Sequence, residues 1–358
     1  FHVLHAAAPF LGSAFSDAHA QLYVRTLAGR EPLPREAQVI GFIERSLGEA
    51  LGQRYAARHV EPARREAALA LAEGLRSQLR ASVEGASWLS AEGRQALIAD
   101  IDSLVIALGG PASSEWQGFE LKAQNYPEAV LALARARHAR ELARIGGDTP
   151  PRWPISPTSL LPAYDNASHT LYVPAGLLQS PQFEPAGDAA LNHGAVGVLI
   201  ARGLLQAFDP VSGARRGLLS EADRQAWAER GRPLVAQYSA FAALGAQTVD
   251  GAATWAENRL DLGALQLAYT GFLAAGGERG DAVEGLSPAQ RFFHAWARHL
   301  RRNYQDDALR LLLISDTRAP ARFRVNGPLP HLSAFHAAFE CKEGQGMFLP
   351  EPARAQVF

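Results

Sequence analysis

Trp255-Ala256-Glu257-Asn258-Arg259-Leu260-Asp261-Leu262-Gly263 lies inside an apolar run whose spacing predicts a helix over 253–274. Glu257 and Asp261 stand four residues apart, so both carboxylates share one helix face. The next positions on that face, Ala264 and Ala268, are small and apolar, as on a packed surface. Two carboxylates on a packed face need a cation or a set of donors, because burying an unpaired charge costs on the order of several kcal/mol. A solvated face with Arg259 close by is the plainer reading. Spacing alone leaves both open.

Outward from this helix, most of the chain reads helical. Ser16 and Asp17 cap a segment through about Leu27, and Pro34 opens another that runs toward Arg58. From Pro62 to Val83, Leu71, Leu75 and Leu79 mark one stripe of an amphipathic helix. Ser90 starts a helix with Leu97, Ile98, Ile101 and Leu104, and Pro127–Ile145 forms the next. The run Gly146-Gly147-Asp148-Thr149-Pro150-Pro151-Arg152-Trp153-Pro154 cannot stay helical, which predicts a boundary between residues 1–150 and 151–358. Beyond it come two strand-like stretches, Leu161–Tyr164 and Thr170–Val173, around an Asp165-Asn166 turn. Helical patterns follow at 188–207, 220–239, 253–274 and 287–304. The expected class is mainly α with a small β element.

Composition narrows the function. The 358 residues are 47% apolar and 20% charged, with a net charge of −1. That balance excludes a disordered tail protein and argues against a nucleic-acid-binding surface. Cys341 is the single cysteine, which excludes a disulfide scaffold and a zinc site built on paired cysteines. No apolar run is long enough to span a membrane. The chain opens on Phe1 rather than Met, which reads as a processed or trimmed chain. Phosphate-binding glycine loops, dinucleotide fingerprints and the serine-nucleophile elbow are missing from the sequence. The histidine pairs His294/His299 and His331/His336 are five apart and diverge around a helix, so they read as structural or surface residues. His193, just before the helix at 194–207, is the one histidine with a supporting role to consider.

The central stretch Glu257-Asn258-Arg259-Leu260-Asp261-Leu262-Gly263 resembles the E-N-x-x-D-x-G motif of the neprilysin/endothelin-converting-enzyme family of zinc metallopeptidases, the oligopeptidase O group in bacteria. Other landmarks occur in the family's order. Tyr172-Val173-Pro174-Ala175-Gly176-Leu177-Leu178-Gln179 resembles its F-P-A-G-I-L-Q segment, and Asn192-His193-Gly194-Ala195-Val196-Gly197-Val198-Leu199-Ile200 resembles its N-Y-G-G-I-G-x-x-I run. Phe323-Arg324-Val325-Asn326-Gly327-Pro328-Leu329 resembles its F-R-V-N-G-P-L. More loosely, Trp88-Leu89-Ser90-Ala91-Glu92-Gly93-Arg94 looks like its W-M-D-x-x-T-[KR] run. The resemblance implies a thermolysin-like catalytic lobe over 151–358 and, over 1–150, part of a second, helical cap lobe, as in neprilysin. It covers the second half of a typical family ectodomain.

The chemistry departs from the family. There the helix after x-x-I carries H-E-x-x-H, two histidines binding zinc and a glutamate activating water. Aligning Gly197 and Phe208-Asp209 puts Arg202 and Gln206 at the histidine positions and Gly203 at the glutamate position. The family's substrate-binding Asn-Ala appears as Pro162-Ala163, and its transition-state histidine aligns with Arg318. Glu257, by resemblance the third zinc ligand, is kept, as are Asp261, which orients a ligand histidine there, and Arg324, which contacts substrate.

The resemblance therefore implies a vestigial active site that has lost zinc, in which the Arg202 guanidinium takes the metal's place. Its fork would bond Glu257 twice, with Gln206 donating to Glu257 or Asp261. The expected function is an inactive pseudopeptidase acting as a binding, regulatory or structural partner of peptides, of an active paralogue, or of the absent N-terminal half. The alternative is an active metalloendopeptidase with an atypical zinc site, for example His193 with Glu257. An exported, periplasmic location goes with the resemblance.

Overall fold

The structure, a computed structural model, describes residues 2–145, 147, 153–209 and 216–357. The break expected at 146–154 lies largely outside these described residues. The chain divides into two compact units, Phe1–Ala56 with Gly110–Pro157, and Ala57–Gly109 with Thr158–Phe358. Among the described residues no helix is long and apolar enough to cross a membrane.

The first unit is helical. Helix α1 (Arg35–His59), which continues past this unit's end, bends at Leu47, where φ −128° and ψ 21° interrupt the helical backbone. The unit's other long helix starts at Asn125, whose side chain accepts a hydrogen bond from the Glu128 amide and so satisfies one free N–H of its first turn. Within the same unit the Arg140 guanidinium lies over the Trp116 ring, 4.2 Å from its centroid.

The second unit holds the main core, and it claims 57–109, which the sequence reading had grouped with 1–150. The cause is packing. Helix α2 (Pro62–Glu84) buries Ala68, Ala72, Leu75, Leu79 and Val83, with the expected Leu71 only half-buried beside that stripe. Helix α3 (Ala91–Ser103), capped by the Ser90 hydroxyl, buries Leu97 and Ile101. It leads into a strand that the sequence reading missed, β1 (Val105–Gly109). Strand β1 pairs in parallel with the fully buried β3 (Thr170–Pro174), Val105 opposite Thr170 and Gly109 opposite Pro174. The short β2 (Ala163–Asp165) pairs antiparallel on the other edge of β3. The turn between β2 and β3 forms as expected, the Asp165 carboxylate accepting from the backbone N–H and hydroxyl of Ser168.

Against this sheet and α2 pack the helices that carry the site. Residues Ala189–Asn192, a wide π turn at His193–Gly197, and α4 (Val198–Ala207) form one continuous helical run. Gly194 is required in it, because a Cβ there would lie 2.2 Å from the Phe292 carbonyl oxygen. Helix α5 (Trp255–Ala274) runs through the centre and is buried without a break from Asn258 to Leu265. Helix α6 (Pro288–His299) opens with a Ser287/Gln290 capping box and ends five residues before the predicted position 304. Beyond it come α7 (Asp306–Ser315) and the short α8 (Ala321–Asn326).

Candidate functional site

Helices α4 and α5 face each other, and this pairing brings together residues that lie more than fifty positions apart. From α4, Arg202 Nε donates to Asp261 Oδ1 at 2.9 Å, and its Nη2 donates to Glu257 Oε2. From α8, Arg324 adds a second guanidinium. Its Nε donates to Asp261 Oδ2 at 2.7 Å and its Nη2 to Asp261 Oδ1 at 2.9 Å. Asp261, with its side chain only 1% exposed, accepts three charged hydrogen bonds from two arginines.

The electrostatics follow from that geometry. Burial alone would raise the Asp261 carboxyl, but the Arg324 and Arg202 guanidinium groups outweigh it and hold the carboxyl below its usual range. Burial works against the Arg324 charge in the same way, and Asp261 and Glu257 more than compensate, so Arg324 binds its proton more tightly than usual. Two cations and two anions thus form a closed set at the junction of three helices.

This set borders a cavity of about 480 Å³. Every predicted site residue except Asp261, which lies beneath, lines it: Pro162, Ala163, Arg202, Gly203, Gln206, Glu257, Arg318 and Arg324. Their contacts differ from expectation in two respects, at Arg202 and at Gln206. The Arg202 fork does not grip Glu257 twice; it splits between Glu257 and Asp261, because the two carboxylates are one helical turn apart and both face α4. Gln206 is exposed and bonds to neither carboxylate. Arg324, assigned a substrate contact by resemblance, lines the cavity and bonds Asp261 through Nε and Nη2. Arg318 lines the cavity, about half exposed, with its Nε donating to Asp316 Oδ1 at 3.1 Å.

Arg259 also departs from the plainer reading. It points away from the two carboxylates, lies between the Trp227 and Trp255 rings at 4.7 and 4.6 Å, and pairs with buried Asp209. It is part of the core and not the cation that serves Glu257. Gly203 is buried against the sheet, where an added Cβ would lie 2.5 Å from Leu171 Cδ1. His193 has its ring Nδ1 2.8 Å from the Ala189 carbonyl and lines a different cavity, beside Asn192 and Gly271.

Sequence reasoning missed His299, Arg302 and Tyr304, which line the same cavity as Glu257. Burial, together with the charges of Arg324 and Arg302, pushes the His299 imidazole down to about 4, so it stays neutral at physiological pH. The signal available was the basic stretch His299-Leu300-Arg301-Arg302 closing an amphipathic helix.

Comparison with known proteins agrees with this architecture. Residues 163–355 match the profile of peptidase family M13, and residues 1–111 match a second profile of the same family. The chain belongs to peptidase family M13. The human Kell blood group glycoprotein, also similar, is 28% identical over 371 residues, covering 98% of this chain and 49% of its own length. An endothelin-converting enzyme homolog from Locusta migratoria is 27% identical over 94% of this chain and 49% of its own length. This M13 chain thus spans about half the length of the curated relatives it matches. Among solved structures, the Mycobacterium tuberculosis zinc metalloprotease Zmp1, in complex with an inhibitor, superposes with a TM-score of 0.87 at 28% identity, covering 99% of this chain and 56% of that one. PepO from Lactobacillus rhamnosis has the same fold, with a TM-score of 0.87 at 22% identity over 99% of this chain and 56% of that one. The neprilysin-like fold expected from the motifs is the fold of this M13 chain.

Proposed function

We propose that this chain is a non-hydrolysing member of family M13 that acts by binding, its cleft retained and its metal site replaced by an internal ion pair. The observation that carries the reading is the Arg202 guanidinium bonded to Glu257 and Asp261 together. A catalytic zinc of this kind takes neutral imidazoles and a carboxylate, with a further carboxylate to activate water. The side chains at those positions do not fit it. A guanidinium keeps its proton and has no lone pair to give, a carboxamide is a poor substitute for imidazole, and Gly203 carries no base. The retained acids then serve a new purpose, balancing the arginines.

The alternative of zinc held by His193 and Glu257 draws no support from the geometry, since the two residues line separate cavities. The bound partner in this reading is a peptide or another polypeptide, in an exported setting, with a regulatory or structural outcome. Metal analysis of the purified protein, run alongside cleavage of a mixed peptide library with and without chelator, tests the proposal. The expected result is no stoichiometric zinc and no cleavage. Stoichiometric zinc with chelator-sensitive cleavage would overturn it.

A further inference from the structure

The cavity has two electrostatic halves. At its inner end Arg202 and Arg324, with side chains 17% and 13% exposed, are matched by Glu257 and Asp261. At its outer end Arg318 is 46% exposed and Arg302 is exposed, while Asp316 is the one carboxylate there among the described residues. Asp316 is already engaged by the Arg318 backbone N–H and Nε, which leaves both terminal nitrogens of Arg318 unbonded. Arg302 has no ion-pair partner among the described residues. His299, which lines the same cavity, is neutral and adds no charge of its own.

We propose that Arg302 and Arg318 form a carboxylate-binding site at the outer end of this cavity, which selects a short peptide by a free carboxylate at its C-terminus or on an acidic side chain. The inference rests on the reading of the cleft as a binding site that does not cut. Arginine forks match the two oxygens of a carboxylate, and the free terminal nitrogens of Arg318, with Arg302 lining the same cavity, supply the positive charge for one. The rest of the wall is mixed: Leu161, Leu199 and Leu312 offer apolar surface for the peptide's side chains, and Tyr164, Tyr304 and Thr317 offer polar groups. A volume of about 480 Å³ is within the roughly 300–1,000 Å³ typical of small-ligand pockets. Neither arginine belongs to the set that holds Asp261 and Glu257, so ligand binding leaves that set intact.

The test is fluorescence anisotropy with labelled apolar tripeptides in three forms: free acid, C-terminal amide, and C-terminal amide with an internal Glu. The free acid is expected to bind about tenfold or more tightly than the plain amide, and weakening should be of similar size in Arg302→Gln and in Arg318→Gln. If the internal Glu restores affinity, a side-chain carboxylate serves. If it does not, the site reads the C-terminus. Thermal melting of both variants, expected to match the parent, separates loss of binding from loss of fold. Equal binding of acid and amide, full affinity in both glutamine variants, or no binding of any peptide overturns the carboxylate site. Equal binding without cleavage leaves the non-hydrolysing reading standing, whereas chelator-sensitive cleavage of the probes removes that reading itself.

Discussion

Replacing Arg202 with Met keeps the aliphatic stem and removes the guanidinium, which isolates the ion-pair contribution. Two charge-assisted hydrogen bonds disappear, each of a kind that contributes roughly 1.5–3 kcal/mol. Not all of that is lost. Asp261 keeps its two bonds from Arg324, and Glu257, with a side chain 22% exposed on the cavity wall, can take water in place of Arg202. The expected destabilisation is therefore about 2–3 kcal/mol, below the roughly 3–5 kcal/mol for breaking a sealed pair. Arg324→Met is the harsher change, since it strips two of the three bonds from an acid that is 1% exposed, and about 3–5 kcal/mol is expected. Adding Glu257→Leu to Arg202→Met removes the orphaned charge and should recover most of the loss. Urea titration near neutral pH, followed by tryptophan fluorescence and circular dichroism with an unchanged m-value, gives these differences. A loss under about 0.5 kcal/mol for Arg202→Met, or a larger loss there than for Arg324→Met, would refute the reasoning.

Three further outcomes are expected. Arg202→His with Gln206→His should take up about one equivalent of zinc beside Glu257 while the parent takes up none, as read by metal analysis; no uptake would mean that α4 no longer presents ligand geometry. Adding Gly203→Glu to that pair should lower solubility and melting temperature unless Leu171 is also cut to Ala, because of the 2.5 Å approach at that site. The second concerns pH. His299 and His331 are each pushed down to about 4 by burial and neighbouring arginines, so the unfolded chain binds protons that the folded one refuses. Stability is then complete above the ordinary imidazole value and falls as pH drops from about 6.5 toward 4, by up to ~3 kcal/mol per imidazole. His331→Gln should flatten that slope in denaturation curves; an unchanged slope would refute it. The third is Gly194→Ala, which sets a methyl against the Phe292 carbonyl at 2.2 Å and should cost more than about 2 kcal/mol by urea titration.

The parts of this fold that were legible in the sequence are those in which one local pattern carries the information. The i, i+4 carboxylates called for a counter-charge if their face was packed, and the motif alignment that puts Arg202 at a histidine position made it the candidate. Both hold in the structure. What the sequence could not supply was the second cation. Arg324 stands 63 positions from Asp261, and no local rule joins a residue just after Pro320 to the middle of a buried helix. The same holds for β1, whose five residues follow directly on a helical pattern and gain a role only from their parallel partner, 65 positions away. Arg259 misled for a related reason. It sits between the two acids in sequence, yet a helix turns it to the opposite side, where two indole rings and Asp209 enclose it. Charge balance tells a reader that buried acids must have cations, but which cations they are depends on the crossing of helices that are distant in sequence. An Asp261 held by two arginines and not one is therefore harder to displace than the motif alone implies. For the same reason, reinstating histidines at 202 and 206 leaves Asp261 with Arg324, and a histidine that Asp261 is to orient would have to share that acid with an arginine.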